Sequence, residues 1–489
     1  MNPIPPRHEQ PVPCLPLGDW SAWRSAALVV PCAFLLAVVV QVVVLQRFPN
    51  SGDEYAYLWQ ATAFAHGEVS AETPQPQDAF RLNHVGDRNG RRFGKYPPGW
   101  PLLLAAGVAA GAPSLVNPLL AALALAGVYR LACSFVGPRA ALLGTIFTGS
   151  TPFFLLNAAS YFSHPACLFS LTVLALALCW TIERRGPLPL IVAGAGFGLA
   201  VLVRPYTALL VGVPLLLGLG KDVFFTPGPR RRPFATSLLW FIAGGVPFAL
   251  LLAMVDRAVT GSWLTLAWTY FDPEETIGFG VHGHTLARGM RITARLCGEG
   301  VLYTSLFSPV LLVAALGRLT NRRWLLWTLL AVPIIGHVFW WSHGGNRYGP
   351  RFYFEALLPF TMLAGVGLER LLAMRRARVP LLAAAVVASI AFVVLCAGFR
   401  TEIYQRRDVY RTVDGAGLQN ALVLLTTASG DMSRTDLTRN PPDWRGANVL
   451  YALSRGTLDI ELLRHYPARA AYYYGSTPEG GRLWPAGTR

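Results

Sequence analysis

The chain has 489 residues, of which 53% are apolar and only 14% charged, with a mean hydropathy of +0.41. Soluble proteins carry about a quarter of their residues as charges, so this composition excludes an ordinary soluble domain as well as disordered and collagen-like chains. The balance of 42 basic against 26 acidic residues gives a formal charge of +16, but the basic residues sit in short connections between apolar runs, which argues for a membrane protein without a nucleic-acid partner.

The polar, Pro-rich residues 1–24 precede the first apolar run and are expected to form a cytoplasmic tail on an uncleaved first span. Twelve apolar runs follow, at 25–46, 97–112, 115–135, 140–158, 164–182, 188–203, 205–220, 234–256, 300–317, 324–342, 353–372 and 380–399. A bilayer core needs about 20 apolar residues per helix. The run at 97–112 is shorter and opens Pro97-Pro98-Gly99-Trp100-Pro101, so it reads as an interfacial or re-entrant segment. About eleven spans then remain. The basic clusters Arg130/Arg139, Arg184/Arg185, Lys221/Arg230/Arg231/Arg232, Arg318/Arg322/Arg323 and Arg370/Arg375/Arg376/Arg378 all fall on the cytoplasmic side under the positive-inside rule, with membrane lipids facing them. The segments 47–114, 257–299, 343–352 and 400–489 are then outside.

None of the seven cysteines belongs to a C-x-x-C pair, which speaks against a zinc cluster or a disulfide framework. Residues 400–489 differ in composition from the rest. The short apolar runs 421–426, 448–453 and 470–475 read as strands and 460–467 as a helix, giving a small α/β domain on the outer face.

The outer segments hold the reactive side chains. Asp53-Glu54 follows the first span, and an acidic pair there also suits a solvated helix N-terminus. Lys95 lies in Phe93-Gly94-Lys95-Tyr96-Pro97-Pro98-Gly99-Trp100, where a snorkelling ammonium is the simpler account. Arg204 precedes Pro205 at a span end. Gly344-Gly345-Asn346-Arg347-Tyr348-Gly349-Pro350-Arg351 places two guanidiniums in a short outer loop, where positive charge is disfavoured. In 272–284, His282 and His284 flank one glycine near Asp272, Glu274 and Glu275. A divalent metal site and a flexible Gly-rich lid both fit that pattern.

S-G-D-E-Y-A-Y-L after the first span, G-K-Y-P-P-G-W-P at the end of the first outer loop and R-Y-G-P-R-F before a late span together resemble the GT-C superfamily of membrane glycosyltransferases. The resemblance is closest to bacterial relatives of protein O-mannosyltransferases and of lipid A aminoarabinose transferases. It covers roughly residues 25–400 and implies a polytopic α-helical membrane protein. By this resemblance the chain is an inverting glycosyltransferase of the bacterial inner membrane, with its active site facing the periplasm.

The donor implied is a polyprenyl-phosphate sugar, and the acceptor a hydroxyl or phosphate of an envelope glycan, lipid or protein. By position, Asp53 corresponds to the base and Glu54 to its support. Lys95 and Arg351 would hold the donor phosphate, with Arg204 and Arg347 as further cations. Tyr55, Tyr96, His282, His284 and Tyr348 are expected to line the substrate cleft. Many members carry a second acidic residue after the third span, where this chain has Ser160-Tyr161-Phe162-Ser163-His164-Pro165. His164 stands either as its replacement or as a helix cap. The aminoarabinose transferases also have an acidic residue where this chain has Gly94, so no metal ligand set is carried over. A transporter or flippase of lipid-linked sugars is the alternative. It would require charges along a path through the bundle, and the spans are nearly free of Asp, Glu and Lys.

Overall fold

The computed structural model describes residues 26–183, 186–224, 233–306, 308–316, 323–342, 344, 347–426, 436–477 and 480–486. The expected tail 1–24 and the basic residues Arg184, Arg185, Arg230, Arg231, Arg232, Arg318 and Arg322 lie outside the described residues. Among the described residues seven helices are long and apolar enough to cross a membrane: Ala27–Val44, Pro113–Val136, His164–Ile182, Pro205–Phe224, Phe234–Thr260, Arg351–Ala373 and Arg375–Arg406. The number rises to nine if Pro138–Ser150 with Pro152–Ala158, and Leu286–Thr304 with Ser308–Ala315, each form one span. Pro187–Val203 and Trp324–Phe339 are apolar but shorter, which is why length alone does not reach the expected eleven; Gly99–Ala109, in the run read as interfacial or re-entrant, is shorter still.

Where the helices pack, small residues let backbones touch, as bilayer-embedded bundles require in the absence of a hydrophobic drive. A side chain at Gly144 would come within 2.0 Å of the Thr361 carbonyl oxygen, and one at Gly365 within 2.0 Å of that of Ala140. Gly194 and Gly244 make the same kind of contact between Pro187–Val203 and Phe234–Thr260, at 1.8 Å from the Phe241 oxygen and 2.0 Å from the Ile191 oxygen. The bundle core is filled by Trp100, Tyr129, Phe154, Phe162, Tyr348 and Phe354, all fully buried or nearly so.

Two expected outer elements differ in the structure. The run at 300–317 is divided: residues up to Thr304 belong to the helix Leu286–Thr304, and a separate apolar helix spans Ser308–Ala315. Arg288, Arg291, Arg295 and Glu299 recur at helical spacing along Leu286–Thr304, so this segment is an amphipathic helix and not the end of a loop. The boundary expected at 400 falls inside one continuous helix, Arg375–Arg406.

Beyond the bundle stand two small sheets. Ala71–Glu72, Arg91–Gly94 and Val85–Arg88 form an antiparallel sheet with Arg91–Gly94 in the middle. Ala421–Leu425 pairs in parallel with Val449–Leu453 on one side and Ala470–Thr477 on the other, and Gly480–Pro485 closes the far edge antiparallel to Ala470–Thr477. The helix Asp459–His465 covers one face. This C-terminal sheet is no detached appendage. Ala79 and Phe80, from the segment between the helices Gly52–Ala65 and Gly99–Ala109, sit in one buried cluster with Leu422, Leu424, Leu450, Ala452 and Leu462.

Candidate active site

Asp53 and Glu54 open the helix Gly52–Ala65, and the structure gives them different tasks. Ser51 caps the helix by accepting from the Glu54 N–H at 3.2 Å. Glu54 reaches back to accept from the Asn50 N–H at 2.9 Å, a variation on the capping box. Its second oxygen accepts from the Tyr161 N–H at 2.9 Å. Burial pushes the Glu54 carboxyl up to about 6, against the pull of those two N–H groups. Glu54 therefore pins the 160–163 turn to the Asp53 helix and does not line the cavity.

Asp53 does line it. A cavity of about 170 Å³ collects Asp53, Tyr57, His84, Lys95, Tyr96, His164, Arg204 and Arg351, walled by Tyr206, Trp268, Trp340, Trp341 and Phe352. Asp53 Oδ2 receives a 2.9 Å hydrogen bond from Arg351 Nη2, Oδ1 receives the Tyr96 hydroxyl, and His84 Nε2 lies 3.7 Å from Oδ1. Burial works to raise the Asp53 carboxyl, but Arg351, His84, the Tyr96 hydroxyl and Lys95 together hold it well below the usual carboxylate range. Burial also lowers His84, partly offset by Asp53, and raises the Tyr96 hydroxyl, with Asp53 adding to the effect. Asp53 is thus a carboxylate with two firm donors.

The cations come from three chain segments. Lys95 follows the strand Arg91–Gly94 and continues its pairing through a backbone bond to His84; its Nζ lies 2.9 Å from Glu275 Oε2. A side chain at Gly94 would meet Gln60 Oε1 at 2.6 Å, which accounts for glycine before the lysine. Arg204 occupies the break between the helices Pro187–Val203 and Pro205–Leu215, donating to Ser163 Oγ at 3.1 Å and Thr207 Oγ1 at 3.3 Å. Arg351 sits over the Phe162 ring, its guanidinium carbon 4.0 Å from the ring centre. Each cation faces a carboxylate: Lys95 with Glu275, Arg351 with Asp53, and Arg204 with Glu355 at 3.7 Å.

Of the residues expected from the sequence, Asp53, Lys95, Tyr96, His164, Arg204 and Arg351 meet at this cavity. The others do not line it. Arg347 pairs with Glu402 at 2.8 Å and donates to the Asn50 carbonyl. Tyr348, at φ +60°, is buried in the bundle core against Phe162 and Phe399. Tyr55 is turned the other way, donating to the Asn440 carbonyl at 3.2 Å. The two histidines of 272–284 diverge. His282 lies 3.4 Å from Asp272 and against Trp341, while His284 Nε2 is 2.9 Å from the Val338 carbonyl. Among the described residues no three His, Cys, Asp or Glu side chains come together in a way that could hold a metal, so no step is assigned to one.

Sequence reasoning gave no site role to Tyr57, His84 or Glu355, and named Glu275 only beside a metal or lid segment. Glu355 stands at the end of the short 3-10 turn that Arg351 opens, and no motif in the sequence points to it.

A strap from the C-terminal region closes the Asp53 helix from outside the bundle. Arg439 donates to the Pro49 carbonyl at 2.7 Å and lies over the rings of Phe48 at 4.0 Å and Tyr55 at 4.9 Å. Asp436 accepts from Asn83 Nδ2 at 2.6 Å and pairs with Arg406 at 3.3 Å. Gly52 is required beneath it, since a side chain there would come within 2.7 Å of Asp436 Oδ1.

A helical bundle with apolar helices, an acidic helix start, a Lys-bearing strand and a C-terminal sheet is a fold that this chain shares with solved structures. The chain is similar to ArnT from Cupriavidus metallidurans, a structure bound to undecaprenyl phosphate, at 12% identity and a TM-score of 0.56 over 93% of each chain. It is also similar to the Archaeoglobus fulgidus oligosaccharyltransferase in complex with Zn and sulfate, at 14% identity and a TM-score of 0.50. That match covers 91% of this chain and 62% of the other. The same enzyme tethered to an acceptor peptide matches at 14% identity and a TM-score of 0.51, over 87% and 64%. The chain thus spans less than two thirds of the oligosaccharyltransferase. No family model and no curated protein matches the sequence.

Proposed function

We propose that this protein is an inverting, polyprenyl-phosphate-dependent glycosyltransferase of the bacterial inner membrane, with about eleven spans and its cavity open to the periplasm. The observation that carries the reading is one carboxylate, Asp53, sharing a small cavity with Lys95, Arg204 and Arg351 on a GT-C-type fold. A transferase needs both parts: a base for the acceptor proton and cations for the departing phosphate.

In the reaction, the acceptor oxygen attacks the anomeric carbon from the face opposite the phosphate. The C–O bond to phosphate breaks, its electron pair leaves with the polyprenyl phosphate, and the acceptor proton passes to Asp53. Before donor binding, Asp53 is a weak base because Arg351 and Tyr96 hold its lone pairs. A donor phosphate that engages Arg351 removes part of that restraint and raises the basicity of Asp53 as the substrate arrives. Lys95 is likewise released by exchange of Glu275 for phosphate. The acceptor is a hydroxyl or phosphate of an envelope glycan, lipid or protein.

Transfer is tested by incubating the purified full-length protein in lipid with radiolabelled undecaprenyl-phosphate sugars and cell-envelope acceptors. The expected result is acceptor-dependent loss of label from the lipid. Movement of intact lipid-linked sugar across vesicles with no transfer would overturn the reading.

The strap makes its own prediction. Arg439→Met keeps the apolar stem but removes the bond to Pro49, loosening the start of the Asp53 helix. A charged hydrogen bond of this kind contributes about 1.5–3 kcal/mol. Misplacement of the base is expected to lower turnover about tenfold to a hundredfold. Donor affinity should stay unchanged, measured as undecaprenyl-phosphate binding by quenching of tryptophan fluorescence.

A further inference from the structure

Beneath the cavity lies a charged group that the reaction above leaves unused. Glu355 is fully buried at the end of the Arg351–Ala356 turn, and apart from the Cys167 thiol its carboxylate oxygens have no hydrogen-bond partner at ordinary distance among the described residues. Its polar neighbours are His164 Nδ1 at 3.4 Å and Arg204 Nε at 3.7 Å, both toward Oε1, and the Cys167 thiol. Phe154, stacked on Phe354, and Phe162, edge-on to His164, complete the surroundings of the His164–Glu355 pair. A carboxylate held so far from water is costly, and apolar replacements at such places are often stabilising. Its presence here is therefore poorly explained by stability.

His164 supplies the explanation. It is itself buried, yet it lines the cavity, and the ring nitrogen sequestered without a bond is Nδ1. A carboxylate facing Nδ1 keeps the proton on that nitrogen and leaves the Nε2 lone pair for the cavity, the same logic by which a buried acid sets the tautomer of a histidine in hydrolases and metal sites. Building on the transferase reading, we infer that Glu355 is a positioning residue: it fixes His164 as a hydrogen-bond acceptor for a substrate hydroxyl. A phosphodiester has no proton to offer Nε2, so the hydroxyl belongs to the sugar being transferred or to the acceptor.

The test uses full-length protein in lipid. Glu355→Leu is expected to lower kcat about 10–100-fold, the usual scale for removing an orienting partner, with undecaprenyl-phosphate binding within about twofold of the parent. Glu355→Gln keeps an acceptor oxygen and should recover roughly tenfold over leucine. Because Glu355 acts through His164, adding Glu355→Leu to His164→Asn should cost little more than His164→Asn alone. A rise in KM for donor sugar, or instead for acceptor, identifies whose hydroxyl is held. Multiplicative losses in the double variant, or full activity in Glu355→Leu, would overturn the inference. Nitrogen NMR of histidine-labelled protein reads the His164 tautomer without any turnover. A proton on Nδ1 in the parent, lost from its single position in Glu355→Leu, is expected. A proton on Nε2 in the parent would overturn the pairing even if transfer is established. The Nδ1 tautomer in a protein that transfers no sugar would instead count against the transferase reading alone.

Discussion

Asp53→Asn is expected to abolish sugar transfer while leaving the protein folded and able to bind donor. General bases contribute about 10²–10⁴ in rate, so turnover should fall by at least a hundredfold. Asparagine can still accept the Tyr96 hydroxyl through its carbonyl, which keeps the helix start in place. What it offers Arg351 is an N–H group in place of an oxygen, and the guanidinium is then left for phosphate. Undecaprenyl phosphate should therefore bind as tightly as before or more so, read by tryptophan fluorescence from Trp268, Trp340 and Trp341 on the cavity wall. A variant retaining more than about a tenth of parental turnover would remove Asp53 from its role as base.

The same substitution has a stability signature. The Asp53 carboxyl is held below its ordinary value of 3.8. Its ionised form therefore favours the folded state at every pH above that value, and the contribution fades as pH falls below it. In thermal unfolding followed from neutral to acid pH, Asp53→Asn should show a flatter loss of stability at the acid end than the parent.

Arg351→Gln is the second large effect, because it acts on both halves of the site. It removes a guanidinium from the departing phosphate, a loss of about 10²–10³ in kcat for one stabilising donor. It also withdraws the principal cation from Asp53, whose carboxyl should rise toward the ordinary range. The acid limb of the pH–rate profile is then expected to move to higher pH in this variant. Arg351→Lys should recover little, since a compact ammonium lacks the planar fork that suits both the Phe162 ring and a phosphate. An acid limb that stays in place would mean that Arg351 does not govern Asp53.

Much of this site can be read from the sequence because Asp53, Lys95, Arg204 and Arg351 all stand beside a span end or a proline, where a charge is conspicuous against apolar neighbours. Their partners are harder to read. Lys95 meets Glu275 from 180 residues away and Asp53 meets Arg351 from 298, and no local pattern announces such pairs. The R-Y-G-P-R motif shows the limit of proximity in sequence. Positive φ at Tyr348 and Gly349 turns the chain so that Arg351 enters the cavity, while Tyr348 faces the core and Arg347 turns to Glu402.

Span boundaries were similarly mixed. Apolar length marked most of the helices, but it could not tell that Leu286–Thr304 would run on as an amphipathic helix into the run at 300–317. The strand-like composition of 421–425, 449–453 and 470–477 is visible in the sequence. That Phe80 fills the same core is a property of the tertiary fold alone.

The strap at 436–440 bears on when the protein becomes competent. The carbonyl of Pro49 and the ring of Tyr55, on either side of Asp53, find Arg439 only after some 390 further residues have been made. A chain not yet made as far as Arg439 carries Asp53 without the clamp on either side of it. Under the transferase reading, such a chain is expected to turn over donor only as slowly as the Arg439→Met variant.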